Sequence, residues 1–325
     1  MKFRNLMIVL ALLFSSAIFA KKVKIKIGVL APEGTNWAKH MKSLGKEVKK
    51  ATNNEVRLKF YFGGAQGDEH DVLRKIRVGQ LGGGVFTGKT LGDISGDVRV
   101  VEIPFTFGGD RGKAWNAVEK LTPHFNKSLE KAKFKNLGFF EIGMVYFVSQ
   151  KKTPNLGSLQ GLKIWSWEGD KIVSTMIDSL NLEAVPLPLP DVLSSLSTGI
   201  IEAAYAPPMG MVALQWNTKI KYLVDFPIAY SVGAFLVSDK QWKKISPANQ
   251  KILNDLSKKY LAKVNDSNVA DNVEALKQIK ASGVEFIKFP AADEKKSIEM
   301  RKDIIKKLEG KLFTSDALKK LLKTL

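Results

Sequence analysis

The chain contains no cysteine. That removes disulfides, thiolate metal sites and cysteine nucleophiles together. Histidine is nearly absent: His40, His70 and His124 are the whole complement. They form no HxxxH or HxH pair, which argues against a histidine-built metal site. Repeated long apolar runs are missing, so the chain is not a polytopic membrane protein. Acidic residues are also in short supply. Asp and Glu number 32 against 51 Lys and Arg, a formal charge of +19. Such a balance suits a nucleic-acid binder, a protein that meets an anionic membrane surface, or simple solubility. The lysines are spread along the chain, in short pairs such as Lys21-Lys22, Lys49-Lys50 and Lys319-Lys320. No arginine-rich arm, RNP-like motif or aromatic–basic alternation is present, so no nucleic-acid partner is expected. What remains is a 325-residue chain, 45% hydrophobic and 26% charged, enough for two compact domains with real cores.

The first twenty residues read as a sorting signal. Lys2 and Arg4 precede an apolar run from Leu6 to Leu13, followed by a short segment ending at Ala20. The run is short for a membrane span and fits a cleavable export signal. Removing it takes away only two positive charges, so the basic balance belongs to the folded part. A cysteine-free exported chain fits a bacterial periplasm.

Strand and helix signals then alternate. Lys22–Leu30 alternates lysine with Val and Ile and reads as a strand; Thr35 or Asn36 caps a helix from Trp37 to about Thr52. Val56–Phe62 is a second strand, broken by Gly63-Gly64-Ala65-Gln66-Gly67. Asp68–Val78 is helical, Leu81–Thr87 a glycine-heavy strand, and Val98–Ile103 an apolar run ending at Pro104. Asp110–Ala132 is helical with an interruption at Thr122-Pro123, and Leu137–Val148 is a long strand. The second half continues with strands at Leu162–Trp165, Glu183–Val185, Ile201–Tyr205 and Ala229–Val237. Helices fall at Asp170–Leu180 and through Ser197, the second capped by Asp191 and ended by Gly199. Ser246-Pro247 opens the longest helix, to about Ala281, with Ile252, Leu256, Tyr260, Val264, Val273, Leu276 and Ile279 assigned to one face. At 1.5 Å per residue it is roughly 50 Å long, enough to brace two domains. The alternation indicates an α/β fold with helices covering sheets.

Chemical motifs are few. Gly83-Gly84-Val85-Phe86-Thr87-Gly88-Lys89-Thr90 formally satisfies G-x4-G-K-[ST]. A phosphate loop needs a strand before its first glycine and a helix after its threonine. Here a helix and three glycines come first, and Leu91–Gly96 is a poor helix start. The segment is read instead as a strand-to-loop connection at a cleft, where glycine allows close backbone approach. No G-x-S-x-G or HExxH occurs, and His70 beside Asp71 reads as a surface residue. Trp165 and Trp167 share one side if their strand continues, either as core or as an aromatic platform for a ligand. Tyr205-Ala206-Pro207-Pro208-Met209 adds apolar matter at another strand end, where open α/β sheets bind ligands.

Several stretches, in order, resemble the periplasmic solute-binding subunits of tripartite ATP-independent periplasmic (TRAP) transporters, the DctP-like family. Phe62–Asp68 is similar to the family's glycine turn after the second strand. Leu73–Gln80 is similar to its LRxGxxD helix end. Leu159-Gln160-Gly161-Leu162-Lys163-Ile164 matches its DLKGLKIR stretch, and Val185-Pro186 with Asp191–Ala203 matches its P…EvytALqtGvvDG pattern. The resemblance implies a two-lobed α/β binding protein with a cleft between lobes, crossing strands at Gly143–Val148 and Tyr230–Val237, and the long late helix bracing both. Residues 1–20 are then the signal peptide. Lobe I takes 21–145 plus about 231–255, and lobe II 146–230 plus about 256–325. It implies a receptor, not an enzyme, without cofactor, which captures a ligand by hinge closure and delivers it to TRAP membrane permease subunits. A tetratricopeptide-repeat periplasmic protein is a further partner of some such receptors.

The departures from the family are specific. Typical members hold a substrate carboxylate with an arginine directly after Gly-Leu-Lys-Ile, where this chain has Trp165. A second family arginine aligns with Val145 and an asparagine with Ala206. A buried carboxylate without its partner is expensive, so the expected ligand is apolar, amphipathic or lipid-like. The expected lining is Trp37, Phe105, Tyr146, Trp165, Trp167, Tyr205, Met209 and Trp216, with Gln66 in the glycine turn and Thr87 at the strand end. Two alternatives stay open. One is a conventional organic-anion binder using lysine or backbone groups. The other is a secreted enzyme or structural partner on the same scaffold, against which acid-free cleft walls would count.

Overall fold

The computed structural model describes residues 22–325; the expected signal peptide, residues 1–20, lies outside them. The chain opens with β1 (Val23–Gly28), α1 (Asn36–Ala51), β2 (Val56–Tyr61), α2 (Glu69–Arg77), β3 (Gly83–Thr87) and α3 (Gly88–Ile94). A 3-10 helix at Gly96–Glu102 leads to α4 (Arg111–Lys131) and the sixteen-residue β4 (Phe134–Ser149). Then come β5 (Lys163–Ser166), α5 (Lys171–Ser179), β6 (Glu183–Pro186), α6 (Val192–Thr198), β7 (Ala203–Ala206) and α7 (Pro208–Ala213). The chain closes with β8 (Tyr222–Val224), β9 (Ala229–Ser238), α8 (Asp239–Trp242), α9 (Pro247–Ala281), β10 (Glu285–Ile287), α10 (Ala291–Leu308) and α11 (Ser315–Leu322). Among the described residues no helix is long and apolar enough to cross a membrane.

The ten strands run β2-β1-β3-β9-β4-β7-β5-β6, with β8 on β4 and β10 on β8. Strand β4 is the shared member. Through Val145 it pairs antiparallel with β9, and from Tyr146 it pairs with β7. The sheet therefore has two halves, β2-β1-β3-β9 on one side of β4 and β7-β5-β6 with β8-β10 on the other. The outer strands of each half pair in parallel, β2-β1-β3 in one and β7-β5-β6 in the other, as strand–helix alternation dictates, while β9 joins β3 and β4 antiparallel. In β1 the lysines face solvent while Val23, Ile25 and Ile27 are buried, the period-2 pattern of the sequence made physical.

Local signals account for most boundaries. Thr35, not Asn36, caps α1, its hydroxyl accepting from Ala38 N at 3.2 Å. Ser246 caps α9 with Pro247 at its first position. Several expectations need correction. Helix α4 runs unbroken through Pro123, held by the buried Leu121, Phe125 and Leu129, while the Thr122 hydroxyl donates to Val118 O. Asp191 stands before α6 but makes no side-chain cap, whereas Gly199 ends that helix at φ 75° as expected. A short helix, α3, does follow Thr87, although the sequence was a poor helix start. The G-x4-G-K-T segment is still no phosphate cradle, because Gly83–Thr87 is itself β3 and its backbone is paired to β9.

The long helix differs from expectation in its inner face. Val273 is 54% exposed. The buried stripe runs through Asn249, Leu253, Ser257, Tyr260, Leu261, Val264, Asn268, Ala275 and Ile279. Asparagines enter this stripe because α9 packs on β4 where that strand is irregular, with a register shift between Glu141 and Gly143. Asn265 Oδ1 accepts from Glu141 N at 2.7 Å, Asn268 donates to Glu141 O at 2.6 Å, and Asn272 donates to Ile142 O at 2.8 Å. These side chains replace ladder partners the bulge removes. Gly143 is required there: its φ is +135°, and a Cβ would lie 2.5 Å from Asn272 Nδ2.

Candidate ligand-binding site

A cavity of about 630 Å³ lies across the two halves. From the β1–β3 side it is lined by Trp37 of α1, Glu69 of α2, Thr87 at the end of β3, and Arg99 and Glu102 of the 3-10 helix. From the other side come Trp165 of β5, Trp167, Asp170, Tyr205 of β7, and Met209 of α7. Ile142 and Val145 of β4, and Asn268 and Asp271 of α9, complete the wall.

The aromatic wall is ordered by packing. The Trp165 ring lies 4.9 Å from Tyr205 in a stacked arrangement, 5.8 Å from Trp167 and 5.5 Å from Trp216 edge-on. Trp165 is 2% exposed, and its Nε1 donates to Leu187 O at 2.9 Å. Trp165 thus serves both readings at once: core packing on one side and cavity wall on the other. The indole N–H groups of Trp37 and Trp216, both in cavity-lining residues, have no hydrogen-bond partner within the protein, nor does Asn268 Oδ1.

The cavity walls are not acid-free. Glu69, Glu102, Asp170, Asp271 and Glu274 line the cavity, against the cations Lys39 and Arg99. Arg99 is already taken. Its Nη2 donates to both Asp170 oxygens, at 3.1 and 2.9 Å, and its Nε lies 2.6 Å from Glu102 Oε2. Burial alone would lower the Arg99 pKa, but the charges of Asp170 and Glu102 outweigh it and hold the guanidinium firmly protonated. Asp170 also caps α5, accepting from Ile172 N at 3.0 Å and Val173 N at 3.2 Å, while Glu102 accepts from Val232 N at 3.1 Å. Glu69 is buried without a cation. Desolvation pushes its carboxyl up to about 8, against the opposing pull of Thr87, whose N–H and hydroxyl both donate to it at 2.8 Å. Burial, and then the Asp170 charge, raise the Tyr205 phenol. Among the described residues no cluster of His, Cys, Asp and Glu is placed to hold a metal ion.

The cavity brings together seven of the ten expected residues: Trp37, Thr87, Trp165, Trp167, Tyr205, Met209 and Trp216. The other three are elsewhere. Gln66 points to the Lys75 side chain, with Oε1 3.4 Å from Nζ. Phe105, at φ +60°, donates its N–H to Ile228 O and stacks on Phe226 in the core. Tyr146 sits half-buried on β4 opposite Ala206 and packs on the second-half core. Val145 and Ala206, like Trp165, do line the cavity. Sequence reasoning missed Glu69, Arg99, Glu102 and Asn268 as wall residues and took Asp170 only as a helix start. A signal existed: Arg99 and Glu102, three apart inside the apolar run 98–103, form a charge pair that burial forces together.

Residues 27–311 match the DctP family, the bacterial extracellular solute-binding proteins of family 7. A Haemophilus influenzae protein of uncharacterised role is 24% identical over 315 residues, 92% of this chain and 91% of its own length. Among solved structures, a TRAP periplasmic solute-binding protein from Desulfovibrio salexigens with bound orotic acid is 20% identical. It superposes with a TM-score of 0.84 over 94% of this chain and all of the other. One from Haemophilus influenzae with bound L-gulonate is also 20% identical, with a TM-score of 0.85 and the same coverage.

Proposed function

The chain belongs to the family 7 bacterial extracellular solute-binding proteins, and from that footing we propose that its cavity takes an apolar or amphipathic ligand with an uncharged polar end. The protein is a periplasmic, non-enzymatic receptor that works with the membrane permease subunits of a TRAP transporter. Its small-molecule ligand is the open term. The observation that carries the reading is the state of the only cavity-lining arginine among the described residues: Arg99 is already matched by two carboxylates. The three positions at which the family resemblance would put carboxylate-holding side chains are Val145, Trp165 and Ala206, all in the wall and none charged. An anionic group entering here would lose its hydration and find the buried Arg99 already paired with a carboxylate. An apolar body against Trp165, Trp167, Tyr205 and Met209 pays no such penalty. The relatives' ligands, orotic acid and L-gulonate, are acids, but at 20% identity those structures show the fold alone.

Capture follows from the two-sided lining. A ligand favours the closed arrangement only if it touches both lobes, and Trp37 and Thr87 face it from one, Trp165 and Tyr205 from the other. The lobes divide as 21–145 with about 231–255, and 146–230 with about 256–325. The change of β4 partner between Val145 and Tyr146 supports that division. Isothermal titration with 1-octanol and with succinate tests the ligand class. Heat of binding with 1-octanol and none with succinate is expected; tight succinate binding alone would refute it.

A further inference from the structure

The Arg99–Asp170 pair joins the two halves of the molecule. Arg99 sits in the 3-10 helix that follows β3 and α3, in the half built on β1–β3. Asp170 sits between β5 and α5, in the half built on β5–β7. Both are at least nine-tenths buried and both line the cavity. The contact is a carboxylate from one lobe held by a guanidinium from the other. A ligand carboxylate bridging the lobes would make the same kind of contact.

We infer that Asp170 is a built-in carboxylate that occupies Arg99 and so excludes carboxylate ligands from the cavity; this rests on the proposed ligand class and names the residue that sets it. Both Asp170 oxygens lie within hydrogen-bond distance of Arg99 Nη2, and Glu102 stands on the Nε side. Nη2, the edge that faces Asp170, is fully engaged, and the guanidinium charge is matched by that carboxylate. Asp170 is fixed in that role by a second duty, because its Oδ1 also accepts from Ile172 N and Val173 N at the start of α5. A carboxylate pinned by two backbone N–H groups does not swing aside for a competing anion at little cost. The local charge agrees: Asp170 alone matches the guanidinium, and Glu102, whose carboxyl burial pushes up, stands beside it, so a further acid finds no unmatched positive charge there.

The test uses the whole mature protein, with octanoate and 1-octanol as a matched pair that differs in head-group charge. Asp170→Asn keeps an N-cap side chain, since asparagine caps as well as aspartate, but removes the charge that neutralises Arg99. The ratio of octanoate to 1-octanol affinity is expected to rise at least tenfold in D170N over wild type, and to fall back when Arg99→Met is added. Asp170→Ser, which also preserves a capping oxygen, carries the same expectation should D170N fold poorly. A D170N or D170S ratio equal to that of wild type overturns the inference. So does a rise that survives the added R99M. Failure of 1-octanol to bind wild type at all counts against the proposed ligand class instead; octanoate affinity alone then decides, a tenfold gain in D170N that R99M abolishes supporting the role of Asp170 and an unchanged octanoate affinity overturning it.

Discussion

Glu69 should make the stability of this protein depend on pH in a way that one substitution removes. It is 3% exposed in the cavity wall, and no cation is paired with it. Burial raises its carboxyl from 4.5 to about 8, with the two Thr87 hydrogen bonds pulling the other way. In the unfolded chain the group ionises near its ordinary value. The folded protein therefore keeps a proton that the unfolded chain releases. Below about pH 4.5 both states are protonated and the carboxyl costs nothing. Between there and about 8 stability falls, and above that the loss is complete. At about 1.4 kcal/mol for each pH unit between the two values, the loss by pH 8.5 approaches about 5 kcal/mol, with solvent relaxation reducing it. Glu69→Gln holds the site neutral throughout. Its amide accepts from Thr87 N and donates to Thr87 Oγ1, so no buried group is orphaned. Urea denaturation of both proteins from pH 5 to 8.5 reads the difference, because every other titrating group is common to both. E69Q is expected to gain steadily on wild type as pH rises, by at least about 2 kcal/mol across the range. Parallel profiles would refute the reasoning and mean that the carboxylate is solvated in the folded state.

Three further outcomes follow from the geometry. Trp165→Arg replaces the ring stacked on Tyr205 with a charge in the wall and should weaken 1-octanol binding at least tenfold by titration; unchanged affinity would place Trp165 outside the ligand's reach. Asn272→Ala strips Ile142 O and Met209 N of their partner and should cost about 1–3 kcal/mol in chemical denaturation. Gly83→Ala puts a Cβ 2.6 Å from Leu236 O between β3 and β9, and a loss of about 1–3 kcal/mol in the same assay is expected from overpacking.

How much of this was legible in the sequence depends on the range of the interaction. The α/β alternation, the long helix from Pro247 to Ala281 and its Ser246 cap are local, and periodicity with cap chemistry reveals them. Pro123 shows the limit of that logic: a breaker by its own chemistry, it is overridden by a buried face that only tertiary packing supplies. The aromatic part of the site was readable because Trp165, Trp167 and Tyr205 lie at strand ends, where α/β sheets open. Phe105 and Tyr146 have the same chemistry, but a positive φ in one and the strand's facing in the other turn them away. The polar part was hidden for a different reason. Arg99 and Asp170 are seventy-one residues apart and meet only because two separate turns are brought to one cavity. The asparagines of α9 looked like the polar side of a helix, since nothing local foretold that a bulged strand would need them.

The central claim is that this receptor's cavity is closed to carboxylates and open to apolar or amphipathic molecules. Native mass spectrometry of the purified mature protein, followed by organic extraction of what it carries, tests it most directly. The account predicts a bound species that partitions into the organic phase and bears no carboxylate. A water-soluble organic acid held in the cavity would contradict it.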